Sequence, residues 1–345
     1  MARMLAVDPP LVREAAARPE FGIRAIGNYL PSGRIDCEAL ARRLDVSDYT
    51  LRSKIGFDSL AQKSGDEDTS DMAVAAIRDL LDRVDVQPTE IDCLAVVTQN
   101  PDNFGIPQVS ALVHGKLDWP ETVAAFDISL GCSGYVYALA IVSGFLLAQN
   151  GRRGVLVTAD PYSKIVDPED RGTALIFGDA ATATLIERGA PWRIGASDFG
   201  TAGSMSASLA VDGQRRFRMH GKDVARFCMR AIPRSIGRTL SKNGLSIDQI
   251  GMVVLHQGSR FIVDGIASEL GATGKTPFSA VTIGNTSSSS IPLALSGLLD
   301  EADEQSTDTF VLSSFGVGMS WASTVIKRHR GDSPNDRATP LGGRL

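Results

Sequence analysis

Residues 126–149 read FDISLGCSGYVYALAIVSGFLLAQ, and this stretch decides the fold. Residues 126–130 have the character of the end of a buried strand, and Gly131–Gly134 predicts a tight turn. From Tyr135 onward the residues are apolar on nearly every side, which is typical of a helix that is buried all round. The stretch therefore predicts a strand that passes directly into a buried helix, with Cys132 at the junction.

Cys132 is a candidate nucleophile because of this position. The free N–H groups and the positive end of the helix dipole favour a thiolate there. The small neighbours Gly131 and Gly134 leave room for a substrate. The competing interpretation is a packed core cysteine, since free cysteines are among the most buried residues. The glycines, the junction and two later segments favour the nucleophile.

The composition narrows the classes of protein. The chain has 345 residues, 43% hydrophobic and 22% charged, and its net charge of −5 gives no global basic field for nucleic acid. Four cysteines lie far apart without a C-x-x-C pair, so we expect neither a zinc site nor a disulfide framework. The N-terminus lacks the apolar core of a signal peptide, and no run of 18 apolar residues exists. We expect a cytoplasmic protein that binds neither membrane nor nucleic acid.

Alternating segments of buried-strand and helix character predict an α/β fold with helices covering mixed sheets. We expect an N-terminal extension at residues 1–20 and a half that carries the cysteine at 21–190. A half that carries a histidine and an asparagine follows at 191–328, and a disordered polar tail at 329–345. We also expect a helix within 46–56, two strands within 174–187, and irregular chain at 194–210. A strand, a reactive residue and a helix occur at Cys132 and again at His256 with the helix from 260, which hints at a duplication.

Two further polar residues complete a candidate constellation. Of the four histidines, His256 alone follows an apolar strand, at 250–255. A cysteine nucleophile needs a positioned partner, and histidine is the usual one. Asn285 opens a Gly/Ser/Thr loop before a helix, and with a histidine it can bind a developing enolate oxygen. Each has an ordinary alternative, as a structural histidine or a turn asparagine. Together the three indicate chemistry on acyl thioesters.

These segments resemble the ketoacyl synthase III group of the thiolase-fold condensing enzymes. The resemblance spans roughly residues 20 to 328. The matching motifs, in chain order, are FDISLGCSG at 126–134, DRGT to FGDA within 170–180, VLHQ at 254–257, GNTS to SIPLAL within 284–295, and SFGVGMSW at 314–321.

The resemblance implies a five-layered αβαβα fold of two similar halves that works as a homodimer. Cys132 would take an acyl group from a coenzyme A or carrier-protein thioester. His256 and Asn285 would hold the malonyl thioester carbonyl while carbon dioxide leaves, and the enolate would attack the acyl group to give a 3-oxoacyl thioester. The oxyanion hole would use the backbone N–H of Cys132 and one from the glycine turn, at Val317 or Gly318. No metal or redox cofactor is needed.

The substrate contacts that the resemblance implies are less regular. The segment that helps grip coenzyme A appears as Lys54-Ile55-Gly56-Phe57 instead of Arg-Thr-Gly-Ile, and Arg171 matches a nucleotide-contacting arginine. The histidine motif continues as Gly-Ser-Arg260 instead of Ala-Asn and a basic residue. In the loop 100–107 the residue before the proline, which reaches into the partner's pocket, is Ile106, and Phe104 precedes it by two positions.

A basic face is predicted for carrier-protein docking. Lys222, Arg226, Arg230 and Arg234 recur at steps of four, so they share one helix face, and the resemblance places Arg260 nearby. Carrier proteins are acidic, so opposite charge favours encounter. A helix face that is merely solvated is the alternative.

Two other functions stay open. The same fold could transfer an acyl group to an alcohol or amine without decarboxylation, which release of carbon dioxide from a malonyl thioester would distinguish. A non-catalytic subunit of a condensing heterodimer is disfavoured because both Cys132 and His256 are present, and thiol labelling of Cys132 would test it.

Overall fold

The computed structural model describes residues 20–301 and 308–329. The predicted extension (except Glu20) and the predicted disordered tail (except His329) lie outside the described residues. The strands are β1 Phe21–Tyr29, β2 Gly33–Asp36, β3 Ser59–Gln62, β4 Cys93–Val97, β5 Ala124–Ile128, β6 Arg153–Ala159, β7 Ala181–Arg188, β8 Trp192–Ile194, β9 Asp198–Thr201, β10 Leu209–Val211, β11 Phe217–Met219, β12 Met252–Leu255, β13 Thr309–Gly316 and β14 Ser320–Arg328. The α-helices are α1 Cys37–Arg43, α2 Thr69–Arg83, α3 Val109–Lys116, α4 Gly134–Ala148, α5 Gly221–Lys242, α6 Arg260–Glu269 and α7 Ser290–Glu301.

The main sheet runs through both halves of the chain. Its order is β5-β4-β6-β7-β1 in the first half and β8-β14-β13-β12 in the second, with β9 also paired to β14. The short β8 pairs antiparallel with both β1 and β14 and so joins the halves. Within each half a parallel pair is followed by an antiparallel strand: β4 beside β6 and then β7, and β12 beside β13 and then β14. The sheet is therefore mixed, as the sequence predicts.

Helices form three layers around the two halves of the sheet. Helices α4 and α7 share the central apolar core, where Leu139, Val142 and Leu295 are fully buried. Helix α2 packs with α3 on the outer face of the first half, and α5 packs with α6 on the outer face of the second. This arrangement is the five-layered αβαβα fold. The expectation that α4 is buried all round is corrected. Its inner side is fully buried, but Ile141 and Leu147 are 41% and 40% exposed on the other side.

The structural counterpart of α4 is α7, not α6. The sequence interpretation compared the helix after Cys132 with the helix from 260, and this was wrong. Helix α6 lies in an outer layer with half-exposed Phe261 on its solvent side, whereas α7 lies beside α4 in the middle. In the first half the outer helix α3 follows β4 and precedes central α4. In the second half the outer helix α6 follows β12 and precedes central α7.

Two local expectations are corrected, and one is confirmed. Residues 174–179 form turns, one isolated bridge and irregular chain, not a strand, because Asp170 starts a tight turn in which its carboxylate accepts from Thr173 Oγ1 at 2.7 Å. The helix expected within 46–56 is present and includes a π-helical segment, Thr50–Ile55, which Gly56 ends with a φ of 83°. The stretch expected to be irregular at 194–210 supplies β9 and part of β8 and β10. Within the described residues, no helix has both the length and the apolarity needed to span a bilayer.

Candidate active site

The turn between β5 and α4 needs its glycines because two side chains press against it. A Cβ on Gly131 would lie 2.5 Å from Gln99 Oε1, and one on Gly134 would lie 2.4 Å from Val97 Cγ1. Both distances are far below a normal contact. The tight packing brings Cys132, at the start of α4, against the carboxyl end of β4.

Cys132 is 6% exposed, and its Sγ lies 3.5 Å from Ser287 Oγ. Burial raises the pKa of the thiol to about 11, and the nearby Asp160 charge also raises it. The Ser287 hydroxyl and the backbone N–H groups of Val317 and Cys132 act in the opposite direction. The thiol is therefore protonated at neutral pH, because burial outweighs the helix dipole that led us to expect a thiolate.

His256 follows β12 and is held on several sides. Its backbone N–H donates to Ser313 O at 2.9 Å, and its Nδ1 lies 2.7 Å from Ser290 Oγ. The ring meets Phe315 edge-on with 5.4 Å between centroids. Burial lowers the pKa of His256 to about 3, although the backbone of Ser287 opposes this. The imidazole is neutral near pH 7, a state in which it can donate from one nitrogen while the other accepts.

Asn285 precedes α7 and is 4% exposed. Its backbone pairs with the segment around Phe177: Asn285 N donates to Ile176 O at 2.8 Å, and Gly178 N donates to Asn285 O at 3.0 Å. The side-chain Oδ1 accepts from Ser287 N at 2.9 Å. Because the oxygen is engaged, the amide NH₂ is the group available to donate to a ligand.

Cys132, His256 and Asn285 line one narrow cavity of about 40 Å³, with Gly316 and Val317 also in its wall. The rest of the lining is mostly apolar: Ile176, Phe177, Leu209, Phe217, Met219, Val224, Cys228, Gly258, Ile262 and Phe315. Thus residues that are distant in the sequence meet at a single site. Across the described ranges, no three His, Cys, Asp or Glu side chains are grouped to hold a metal ion.

The glycine turn after β13 lies directly against the nucleophile. A Cβ on Gly316 would lie 2.4 Å from the Cβ of Cys132. Side-chain hydrogen bonds tie the two segments together: Ser314 Oγ donates to Ser133 O at 2.8 Å, and Ser133 Oγ lies 2.7 Å from Ser320 Oγ. The N–H of Val317 is thereby directed at the sulfur. Gly318 follows in the turn, against Ser320.

The predicted nucleotide contacts lie away from the cavity wall. Lys54 is exposed and its Nζ lies 5.6 Å from the ring of Tyr49. Arg171 is exposed and pairs with Asp45 at 3.4 Å. Arg260 borders a separate groove, which Arg52 also lines, and its guanidinium stacks on Phe278 at 4.5 Å. Arg52 was not among the predicted contacts.

The remaining predicted substrate residues are on the surface. Phe104 is 76% and Ile106 is 84% exposed, and the ring of Phe104 lies 4.3 Å from the guanidinium of Arg215. The four residues predicted for carrier docking are all exposed on α5: Lys222, Arg226, Arg230 and Arg234.

Four polar residues beside the constellation were not predicted. Ser290 contacts the histidine, and Ser287 contacts both the cysteine and Asp160. Tyr162 is buried, and its ring stacks on Phe177 with 4.4 Å between centroids. Burial raises its pKa, as do Cys132 and Asp160, which its hydroxyl faces. Asp160 had one available signal, because it directly follows an apolar strand, as His256 does.

The fold places the chain among the thiolase-fold condensing enzymes. Two family models match: 3-oxoacyl-[acyl-carrier-protein (ACP)] synthase III over residues 126–203, and the C-terminal part of the same family over 240–328. The chain belongs to the 3-oxoacyl-[acyl-carrier-protein] synthase III family.

Individual relatives cover nearly the whole chain. A beta-ketoacyl-[acyl-carrier-protein] synthase III of Deinococcus deserti is 33% identical over 91% of this chain and 93% of its own length. The corresponding protein of Clostridium beijerinckii is 30% identical over 88% of this chain and 98% of its own length. Among solved structures, the synthase III of Pseudomonas aeruginosa PAO1 has a TM-score of 0.82 at 29% identity, covering 91% of this chain and 100% of its own. The priming beta-ketosynthase of the R1128 polyketide pathway has a TM-score of 0.82 at 25% sequence identity. The match covers 93% of this chain and 100% of that structure's chain.

Proposed function

We propose that this acyltransferase carries an acyl group from an acyl thioester on Cys132 and condenses it with a malonyl thioester, with loss of carbon dioxide, to give a 3-oxoacyl thioester. The observation that carries the proposal is the meeting of Cys132, His256 and Asn285 at one cavity. Thioesters of coenzyme A or of acyl carrier protein are the substrates, and no metal or redox cofactor takes part. The names of the relatives support a carrier-protein substrate.

The first half-reaction is acyl transfer. The backbone N–H groups of Cys132 and Val317 converge on the sulfur, so an acyl carbon bonded there would place its oxygen near the same donors. Such preorganised donors stabilise the oxyanion of a tetrahedral intermediate. The close approach of Gly316 supports this role, because no side chain stands between the turn and the sulfur.

The second half-reaction is decarboxylation. We place the hydrogen of Ser290 Oγ toward Nδ1 of His256, and in that arrangement the ring carries its proton on Nε2. A neutral Nε2–H and the NH₂ of Asn285 are two donors for the enolate oxygen that forms as carbon dioxide leaves. A histidine with a pKa of about 3 suits this role, since it donates without carrying a charge.

A homodimer would complete the acyl pocket. Strand β5 lies at one end of the sheet formed by the described strands, so its outer edge offers backbone groups to a second copy. The exposed Phe104 and Ile106 project from the loop beside this half, and a partner pocket would cover them. Large exposed apolar side chains of this kind often mark interfaces.

We place substrate delivery on the basic face of α5 and on a groove of mixed charge, and the enzyme in the cytoplasm. The face of α5 that carries Lys222 and Arg226 would receive the acidic carrier. In the groove, Arg52 and Arg260 would contact phosphates beside the acidic lining residues Asp36, Glu38 and Asp58, with Lys54 and Arg171 as outer contacts. The four cysteines are all free and buried, which suits a reducing compartment.

The central test combines two measurements on intact protein. Mass spectrometry after exposure to a panel of acyl thioesters should show one acyl group on the wild type and none on Cys132→Ala. Buried Cys228, which lines the same cavity, provides the matched control, so Cys228→Ala should still be acylated. Release of carbon dioxide from a malonyl thioester then separates condensation from simple acyl transfer. Acylation of Cys132→Ala, or an acylated wild type that never decarboxylates the malonyl thioester, would contradict the proposal.

A further inference from the structure

Asp160 is a buried carboxylate that the reaction proposed above does not use. It follows β6 and is 1% exposed. Its Oδ1 accepts from Gln99 N at 3.0 Å and from Asn100 Nδ2 at 2.8 Å. Its Oδ2 accepts from Ser287 Oγ at 2.7 Å. Three donors therefore hold the carboxylate in one orientation, with one oxygen directed at a serine of the active site.

Ser287 connects this carboxylate to the nucleophile. Its Oγ lies 3.5 Å from Cys132 Sγ and 2.7 Å from Asp160 Oδ2. A serine hydroxyl has one hydrogen, and an ionised carboxylate only accepts, so that hydrogen points to Asp160. The thiol of Cys132 must then donate to Ser287 Oγ. The three groups form a chain of hydrogen bonds with a defined direction, from the sulfur to the carboxylate.

The titratable groups around the sulfur leave Asp160 as the suitable base. Buried His256 has a pKa of about 3, too low to take a proton from a thiol whose pKa is about 11. Tyr162 and Cys228 also face the site, and burial raises the pKa of each, so both stay protonated. Burial raises the pKa of Asp160 too, which makes its carboxylate a stronger base than an exposed one.

We propose that Ser287 and Asp160 form a proton relay that takes the thiol proton of Cys132 during acylation and returns it to the leaving thiol. As Sγ bonds to the acyl carbon, its proton moves to Ser287 Oγ and the serine proton moves to Asp160 Oδ2. The C–S bond of the donor thioester breaks, and the reverse transfers protonate the departing thiolate. Ser287 and Asp160 end as they began. The relay rests on the proposed role of Cys132.

The variant Asp160→Asn tests the direction of the chain. The donors Gln99 N and Asn100 Nδ2 would hold the introduced amide oxygen in the Oδ1 position, so the NH₂ would face Ser287. Ser287 would then accept from the amide and turn its own hydrogen toward the sulfur. The packing is nearly unchanged, but the base is lost and the chain is reversed.

The measurement is the rate at which iodoacetamide alkylates Cys132 between pH 6 and 10, with the site read by mass spectrometry. At pH 7 we expect Asp160→Asn to react roughly 10²-fold more slowly than the wild type, the lower range for general-base assistance. The rate of this variant should rise about tenfold per pH unit and approach the wild type near pH 10, as hydroxide replaces the base. Ser287→Ala should show the same slow rate and pH dependence as Asp160→Asn. Ser287→Thr, which keeps a hydroxyl, should recover the wild-type pH profile.

Each other outcome overturns a definite statement. An unchanged rate and profile in Asp160→Asn and Ser287→Ala refutes the relay. A faster reaction of Asp160→Asn at pH 7 also refutes it, because the Asp160 charge would then act only by raising the pKa of the thiol. A rate that is lowered equally at every pH, including pH 10, also refutes it, because it indicates a structural role alone. Alkylation of a different cysteine in the wild type refutes the proposed role of Cys132 instead.

Discussion

The Oγ of Ser290 lies 2.7 Å from Nδ1 of His256, and both residues are buried. This contact joins the end of β12 to the first residue of α7, five positions after Asn285. One hydrogen bond thereby fixes the ring and ties it to the segment that carries the other proposed donor.

Removing either donor should impair decarboxylation more than acylation. In His256→Ala and Asn285→Ala we expect carbon dioxide release from malonyl thioester to fall by roughly 10²–10³, the usual cost of losing one preorganised donor. Both variants should still accept an acyl group on Cys132. Ser290→Ala, which leaves both donors in place but frees the ring, should show a smaller loss. Normal release in both donor variants would move the protein toward the non-decarboxylating acyltransferase.

Stability should fall in mild acid because of His256. The unfolded histidine titrates near pH 6.5, whereas the folded pKa is about 3, so below pH 6.5 only the unfolded state gains this proton. The contribution to the unfolding free energy is lost as pH falls, by about 1.5 kcal/mol between pH 6.5 and 5. Urea unfolding of the wild type and His256→Gln checks this. Their difference should be constant above pH 6.5 and change below it, and parallel curves down to pH 5 would refute it.

A methyl group at Gly316 should disrupt the site. Its Cβ would lie 2.4 Å from Cys132 Cβ and 3.0 Å from Sγ, so the turn or the nucleophile must shift. We expect Gly316→Ala to lose roughly 1–3 kcal/mol of stability through overpacking and most of its acylation rate. Gly237 on α5 is the matched control, since open space surrounds it and alanine favours helix. Gly237→Ala should be neutral or stabilised. Equal behaviour of the two variants in thermal unfolding and acylation would disprove the packing argument.

Charge reversal on α5 should weaken the carrier-dependent reaction. Arg226 and Arg230 are exposed on one face, so Arg226→Glu with Arg230→Glu repels an acidic carrier without touching the core. At low salt we expect the rate at limiting carrier to fall roughly tenfold, and the difference should shrink as salt screens the charges. Arg78→Glu, exposed on α2 in the opposite outer layer, is the control. If all three substitutions have the same effect, carrier docking uses another surface.

The loop tip should set the acyl chain length. Isoleucine is shorter than phenylalanine, so Ile106 entering a partner pocket would leave space there, and each methylene buried in that space could gain about 0.8 kcal/mol. The cavity of about 40 Å³ beside Cys132 holds no medium chain as it stands, so this space must open at the interface or by movement of the wall. We expect the wild type to prefer medium chains and Ile106→Phe to shift toward acetyl. Phe104→Leu serves as comparison, because the Phe104 ring could fill the same space instead. A profile that neither substitution moves would exclude the loop.

The sequence determined the fold class and the family, and it singled out three residues that the structure brings to one cavity. His256 directly follows a strand, Cys132 lies two residues before a helix, and Asn285 lies five residues before one. Such positions are local features that periodicity and small residues reveal. The five ordered motifs around them indicated the family. The predicted strand at 174–179 is wrong because Thr173 donates a side-chain hydrogen bond to Asp170, which apolar periodicity does not encode.

Only the tertiary structure decided the charge states and the supporting contacts. The position of Cys132 near a helix start predicted a thiolate. Burial by several segments instead raises the pKa of its thiol to about 11, and burial depends on the fold of the whole chain. Likewise, Asp160, Ser287 and Ser290 are ordinary polar residues in the sequence. They acquire their partners because the two halves of the sheet bring the ends of β6, β12 and α7 to the same place. Hydrogen bonds over separations such as 127 residues depend on that packing, so no local pattern could have indicated them.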